Sequence, residues 1–138
     1  MGLVYAEIEL INTYDVESAR RYTIGEDEIK RINVSLLVDT GSATLCINEN
    51  IQEILQLPVV GTRKGKLANS TMIECSLAGP VELRFKNRKT ACYAMVLPGD
   101  SEPLLGAIPL EDMDVIIHPL RQELIVHPDH PAMAQMRI

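Results

Sequence analysis

The apolar residues of this chain come in short runs, each closed by turn-forming residues, and that punctuation limits the fold more than any other feature. In residues 3–11, LVYAEIELI, Val4, Ala6, Ile8 and Leu10 fall on one face and Tyr5, Glu7 and Glu9 on the other. That alternation is the pattern of a half-buried strand. Residues 31–38, RINVSLLV, make a second strand, expected to pair with the first. Residues 61–68 and 71–77 flank Asn69 and Ser70, natural turn formers, which predicts a hairpin. Gly79-Pro80 marks a break before VELRF and ACYAMVLP, two strands joined by a basic turn at 86–89. DVIIHP and ELIVHP are the last strands, with Pro119 to Gln122 turning between them.

Helical spacing is scarce. Asn48 can cap a helix on which Ile51, Ile54 and Leu55 pack inward, and Pro58 stops it. LLGAIPLEDM begins apolar and continues as a short helix, with Pro109 near its first turn. Residues 12–30 are polar and read as an extended loop or arm, with room for a short helix around Val16 to Arg21. Residues 128–138 read as a loose tail. With roughly nine strands and one or two short helices, the chain is expected to be mostly β and barrel-like, a single domain over 1–138.

Composition narrows the function. The chain has one Phe, four Tyr and no Trp, so its core must come from Leu, Ile, Val and Ala. Thirteen basic against nineteen acidic residues give a net charge of −6, without the basic footprint of a nucleic-acid binder. Arg84, Lys86, Arg88 and Lys89 read as a solvated turn. No segment approaches the roughly 18 apolar residues of a membrane span, and MGLVYAEIEL lacks the pattern of a signal peptide. Neither a membrane nor nucleic acid is an expected partner. Cys46, Cys75 and Cys92 form no C-x-x-C pair and read as buried reduced thiols, which suits the cytoplasm. His118, His127 and His130 each precede a proline. HPDHP offers two imidazoles without a third ligand in sequence, so they read as surface residues, and Glu111, Asp112 and Asp114 as a solvated helix face. No metal or cofactor is expected.

The stretch SLLVDTGSATLCI, Ser35 to Ile47, carries the chemistry. Leu36, Leu37 and Val38 run straight into Asp39, where a carboxylate needs something to hold it. Gly41 then permits a sharp turn. A lone carboxylate cannot easily activate water and also protonate a substrate. Two carboxylates about 3 Å apart can, because they cannot both ionise and so share a proton. No second D-T-G or D-S-G occurs in the chain, so if Asp39 is catalytic the symmetric solution is a second copy of the chain, with a two-fold axis beside Asp39.

LLVDTGSATL, followed by PLLGAIPLEDMDVII, resembles the retroviral-type aspartic proteases over roughly residues 30–127. The resemblance implies a closed single-lobe acid-protease barrel and a homodimeric endopeptidase cutting a peptide or protein. Asp39 would be the catalytic carboxylate. Thr40 would hydrogen-bond across the two-fold axis, and the Gly41 N–H would donate to the carboxylates. Ser42 could hydrogen-bond Asp39 and favour its ionised form. Ala68, Asn69 and Ser70 would form the tip of a flap over the substrate, without the glycine-rich tip of the viral enzymes. Leu104, Leu105 and Gly106 would supply the second motif, with Leu104 and Gly106 on the substrate side. The family's dimer uses strands from both chain ends, so residues 3–10 and 123–127 are the candidates here. The alternative is a non-catalytic module of the same fold that binds peptides or a partner chain.

Overall fold

The computed structural model describes residues 2–138. Its strands are β1 (Tyr5–Asn12), β2 (Arg31–Val38), β3 (Leu45–Asn48), β4 (Val59–Lys66), β5 (Met72–Phe85), β6 (Arg88–Leu97), β7 (Leu104–Leu105), β8 (Val115–His118) and β9 (Glu123–Val126). Three short helices join them: α1 (Thr13–Arg20), α2 (Glu49–Leu55) and α3 (Ala107–Met113).

Six strands close into a barrel in the order β1–β2–β7–β3–β6–β5, with β5 returning to β1. Strand β4 stands outside the ring and pairs only with β5. Strands β8 and β9 form a separate two-stranded sheet.

The alternation in β1 decides which face turns inward. Ala6, Ile8 and Leu10 are buried, while Tyr5 and Glu7 face solvent. They meet Leu36, Leu45, Ile47, Val81, Leu83 and Leu105, an aliphatic core as the composition requires. Each such side chain, fully buried, contributes roughly 1.5–3 kcal/mol. Strands β1 and β2 pair antiparallel from Tyr5–Leu37 to Ile11–Arg31, as expected.

Several elements differ from the sequence reading. The break expected at Gly79-Pro80 is absent, and β5 runs unbroken through it. A register shift between Ala78 and Val81 sets Pro80 outside the ladder with β6, where its missing N–H leaves no gap. In α2, Ile51 and Leu55 are buried but Ile54 is 52% exposed, so one i, i+4 pair anchors the helix. Residues 12–30 are not an arm. The Asn12 side chain accepts from the Asp15 N–H and caps α1, and its amide donates to Leu55 O at 2.9 Å. Asp15 in turn accepts from the Lys30 N–H at 3.0 Å. Helix α1 buries no residue, so no apolar stripe announces it.

The tail 128–138 has no regular structure, but it is fastened. The Asn87 amide donates to Pro131 O and Ala132 O, at 2.9 and 3.2 Å, and the Gln135 N–H donates to the Asp114 carboxylate at 3.0 Å.

Candidate active site

The loop from Asp39 to Thr44 joins β2 to β3 and is clamped from two sides. Two-residue strand β7 lies between those strands, parallel to β2 and antiparallel to β3. The Asp39 N–H donates to Leu105 O at 3.0 Å, extending the β2–β7 ladder into the loop. This puts the two sequence motifs side by side. From the other side comes the start of α3. The Ala107 N–H donates to Ser42 O at 2.8 Å, and the Ile108 N–H to Ala43 O at 3.0 Å. Free amides of a first helical turn are thus spent on the loop's carbonyls.

Gly106 makes this approach possible. Its backbone is extended, with φ −93° and ψ −177°, so conformational freedom is not the reason for glycine. Space is the reason: a Cβ there would lie 2.4 Å from Thr44 O, 2.6 Å from Thr44 N and 2.7 Å from Ser42 O.

The carboxylate is held locally. The Gly41 N–H donates to Asp39 Oδ1 at 2.9 Å, and the Ser42 N–H closes the turn on Asp39 O at 3.1 Å. Such self-bonding is what Asp does at tight turns. Asp39 is half-buried, while Thr40 and Gly41 are exposed. A carboxylate is thereby presented at the surface with one oriented donor and room beside it.

Ser42 departs from expectation. Its hydroxyl is directed at Thr44 O, 3.5 Å away, and not at Asp39. It also lies by the Cys46 thiol. Burial pushes that thiol's pKa up, the Ser42 hydrogen bond opposes the rise, and the charges of Cys75 and Asp39 reinforce it. Within one chain the Ser42 hydroxyl is thus turned to the Thr44 carbonyl rather than to Asp39.

Asp39, Thr40, Gly41, Ser42, Leu104 and Gly106 are brought together in this cluster. Ala68, Asn69 and Ser70 are not part of it. They form the exposed tip of the β4–β5 hairpin, closed by Leu67 N–H to Thr71 O at 2.8 Å and Thr71 N–H to the Asn69 side chain at 3.0 Å. A cleft of about 390 Å³ runs from Thr40 past Ala107 and Leu110 of α3 to Val115 and Ile116.

A second cluster went unread in sequence. Arg88, expected in a solvated turn, has a fully buried side chain. Its guanidinium donates to His130 O and lies 3.6 Å from Asp114 Oδ2. Asp114, expected on a solvated helix face, ends α3 in the left-handed conformation, with φ 56°. His130 Nδ1 is 2.7 Å from the same Oδ2, and the His127 and His130 rings stack at 4.5 Å. The Gln135 N–H first, and His130 second, hold the Asp114 carboxyl below its ordinary pKa, while burial opposes them.

Asp114, His127 and His130 are the described residues best grouped to hold a cation. Their arrangement does not suit one. The rings are within 21° of parallel, so their lone pairs do not converge on a point about 2 Å away. His127 Nδ1 is occupied by the Asp129 N–H at 3.1 Å, and Arg88 already answers the carboxylate's charge. The cluster acts as a clasp between the barrel, α3 and the tail. Only the His-Pro repeats hinted at it, because its members are spread from residue 88 to residue 135.

No protein-family model matches the chain, and no curated protein matches it either. Among the described residues, no helix is long and apolar enough to cross a membrane.

Proposed function

We propose that this chain is one half of a retroviral-type aspartic endopeptidase, active as a homodimer in the cytoplasm. One observation carries the reading. Asp39 ends a barrel strand, its carboxylate fixed by the Gly41 N–H, in a loop clamped by the Leu104–Gly106 segment. A surface carboxylate with no further role would not need both clamps. The closed six-stranded barrel, the β4–β5 hairpin and the apolar cleft beside Thr40 support the same reading.

Two Asp39 carboxylates would share a proton across the two-fold axis. The ionised one takes a proton from a bound water, whose oxygen adds to the scissile carbonyl carbon. The protonated one donates to the carbonyl oxygen. When the tetrahedral intermediate collapses, the C–N bond breaks and the departing amine takes up a proton from the dyad. Thr40 would bridge the two loops through its hydroxyl. The β4–β5 hairpin would close over the peptide and exclude water. No step requires a metal or cofactor.

The test is peptide cleavage by wild type and by Asp39→Asn, with both followed by sedimentation. The reading expects a cleaving dimer whose activity falls about 10³-fold in the variant while the dimer persists. Equal turnover by both, or activity from a monomer, would refute it. Binding of peptides by both proteins with no cleavage would favour the non-catalytic module.

A further inference from the structure

We propose that the free edge of strand β4 docks an acidic segment of another protein chain, added as an extended strand whose carboxylates at alternate residues face Lys64 and Lys66. The inference is independent of the peptidase reading: it assigns a binding surface on the outer edge of the β4–β5 hairpin and no step of the chemistry.

The charge of this chain is divided unevenly. Residues 59–72 hold Arg63, Lys64 and Lys66 and no Asp or Glu, a charge of +3 in a chain of net −6, which leaves −9 for the rest. The three side chains lie within four residues of β4, and every residue of that strand is exposed except the half-buried Gly65. Seven of the chain's other ten Lys and Arg side chains are in ion pairs, whereas among the described residues none of these three is. Glu74 stands opposite Lys64 on β5 and does not close a pair with it. A cluster of like charges left unanswered attracts the opposite sign.

The backbone supplies the second half of the site. Strand β4 ends the seven-stranded sheet with β5 as its one partner, and the N–H and C=O groups along its other edge have no backbone partner among the described residues. The register with β5 shifts once, between Val59 and Gly61, and then runs without interruption from Thr62–Ser76 to Lys66–Met72. Thr62 to Lys66 is therefore a regular edge on which an extended chain can continue the ladder.

Side-chain geometry then selects the class of segment. Successive residues of a strand point to opposite faces, so Lys64 and Lys66 share one face and Arg63 stands on the other. Residues directly opposite each other on adjacent strands have Cβ atoms about 4.5–5.5 Å apart, within reach of an ion pair. Carboxylates two residues apart on the incoming strand thus meet Lys64 and Lys66, and one at an adjoining residue meets Arg63. Lysines also guard natural edges against self-pairing. Here that guard discriminates: a second β4 brings like charges face to face, and an acidic strand brings opposite ones.

The test uses the full chain carrying Asp39→Asn, so that no peptide is cut. A labelled peptide of about ten residues, Glu alternating with Thr, is titrated in and followed by fluorescence anisotropy, beside the same peptide with Lys for Glu. The Glu peptide should bind and the Lys peptide should not, and the affinity should fall at least about tenfold between about 0.05 and about 0.5 M salt. Arg63→Gln, Lys64→Gln and Lys66→Gln together, all at exposed positions, should weaken binding at least about tenfold while the circular dichroism stays unchanged. Methylating the amide nitrogen of every second peptide residue, in each of the two registers, should cost at least about tenfold in one register or both, because alternate N–H groups of an added strand face β4. No binding of the Glu peptide, equal binding of the Lys peptide, a smaller loss in the triple variant, or full binding by both methylated peptides overturns the site. If the triple variant fails to fold, the Lys and methylated peptides decide alone. The two readings fail separately: peptide binding without Asp39-dependent cleavage by wild type sinks the peptidase and spares this site, whereas cleavage without this binding does the reverse.

Discussion

Two turns of this molecule are built in opposite ways. The Asp39–Thr44 loop is held by β7 and by the start of α3, through Leu105 O, the Ala107 N–H and the Ile108 N–H. The Leu67–Thr71 tip is held only by itself, through Leu67 to Thr71, Ser70 to Leu67, and the Asn69 side chain. One turn cannot shift without disturbing the core. The other can swing on a single pair of strands, because local opening is easiest where few buried contacts must break. A fixed carboxylate loop and a hairpin free to move are what the proposed peptidase would need.

That contrast can be broken at either end. The largest expected effect is at Gly106. Gly106→Ala drives a methyl into the Thr44 backbone and should destabilise the chain by about 3 kcal/mol or more in urea unfolding, because neither side can yield. A loss under about 1 kcal/mol would show that the clamp is loose. Next comes the clasp behind α3. Arg88→Met removes the buried guanidinium facing Asp114 and should cost about 2–4 kcal/mol. At the tip, Ser70 has φ 68°, which L-residues avoid, so Ser70→Gly should relieve strain with a change under about 1 kcal/mol. A large effect there would mean that the tip is as constrained as the Asp39–Thr44 loop.

Acid sharpens the comparison from the side of the clasp. The folded-state pKa of Asp114 is depressed, so its stabilising contribution is complete above the ordinary carboxylate range. It is lost as the pH falls through the folded value. Urea midpoints of wild type and Asp114→Asn should therefore differ at neutral pH and converge in acid. A gap that is unchanged in acid would remove the carboxylate's charge from the account.

The legible parts of this chain were those whose signals are contiguous. Alternation in residues 3–11 and the turn formers Asn69 and Ser70 announced β1 and the β4–β5 hairpin, because strands and tight turns are local. Asp39–Gly41 and Leu104–Gly106 were readable as two motifs, although only the fold makes Leu105 the hydrogen-bond partner of Asp39. Helix α1 was faint because it buries nothing and depends on the Asn12 cap. Arg88 was misjudged because charge on a short turn between strands reads as solvated. Its burial depends on Asp114 and His130, distant in sequence.

The most direct measurement mixes two proteins. Wild type and Asp39→Asn are combined in varying ratio at fixed total concentration, allowed to exchange subunits, and assayed for peptide cleavage. If each reaction centre needs an Asp39 from both copies, activity falls as the square of the wild-type fraction, to about one quarter in an equal mixture. A linear fall to about one half would mean that each chain carries a complete centre of its own, and would contradict the account.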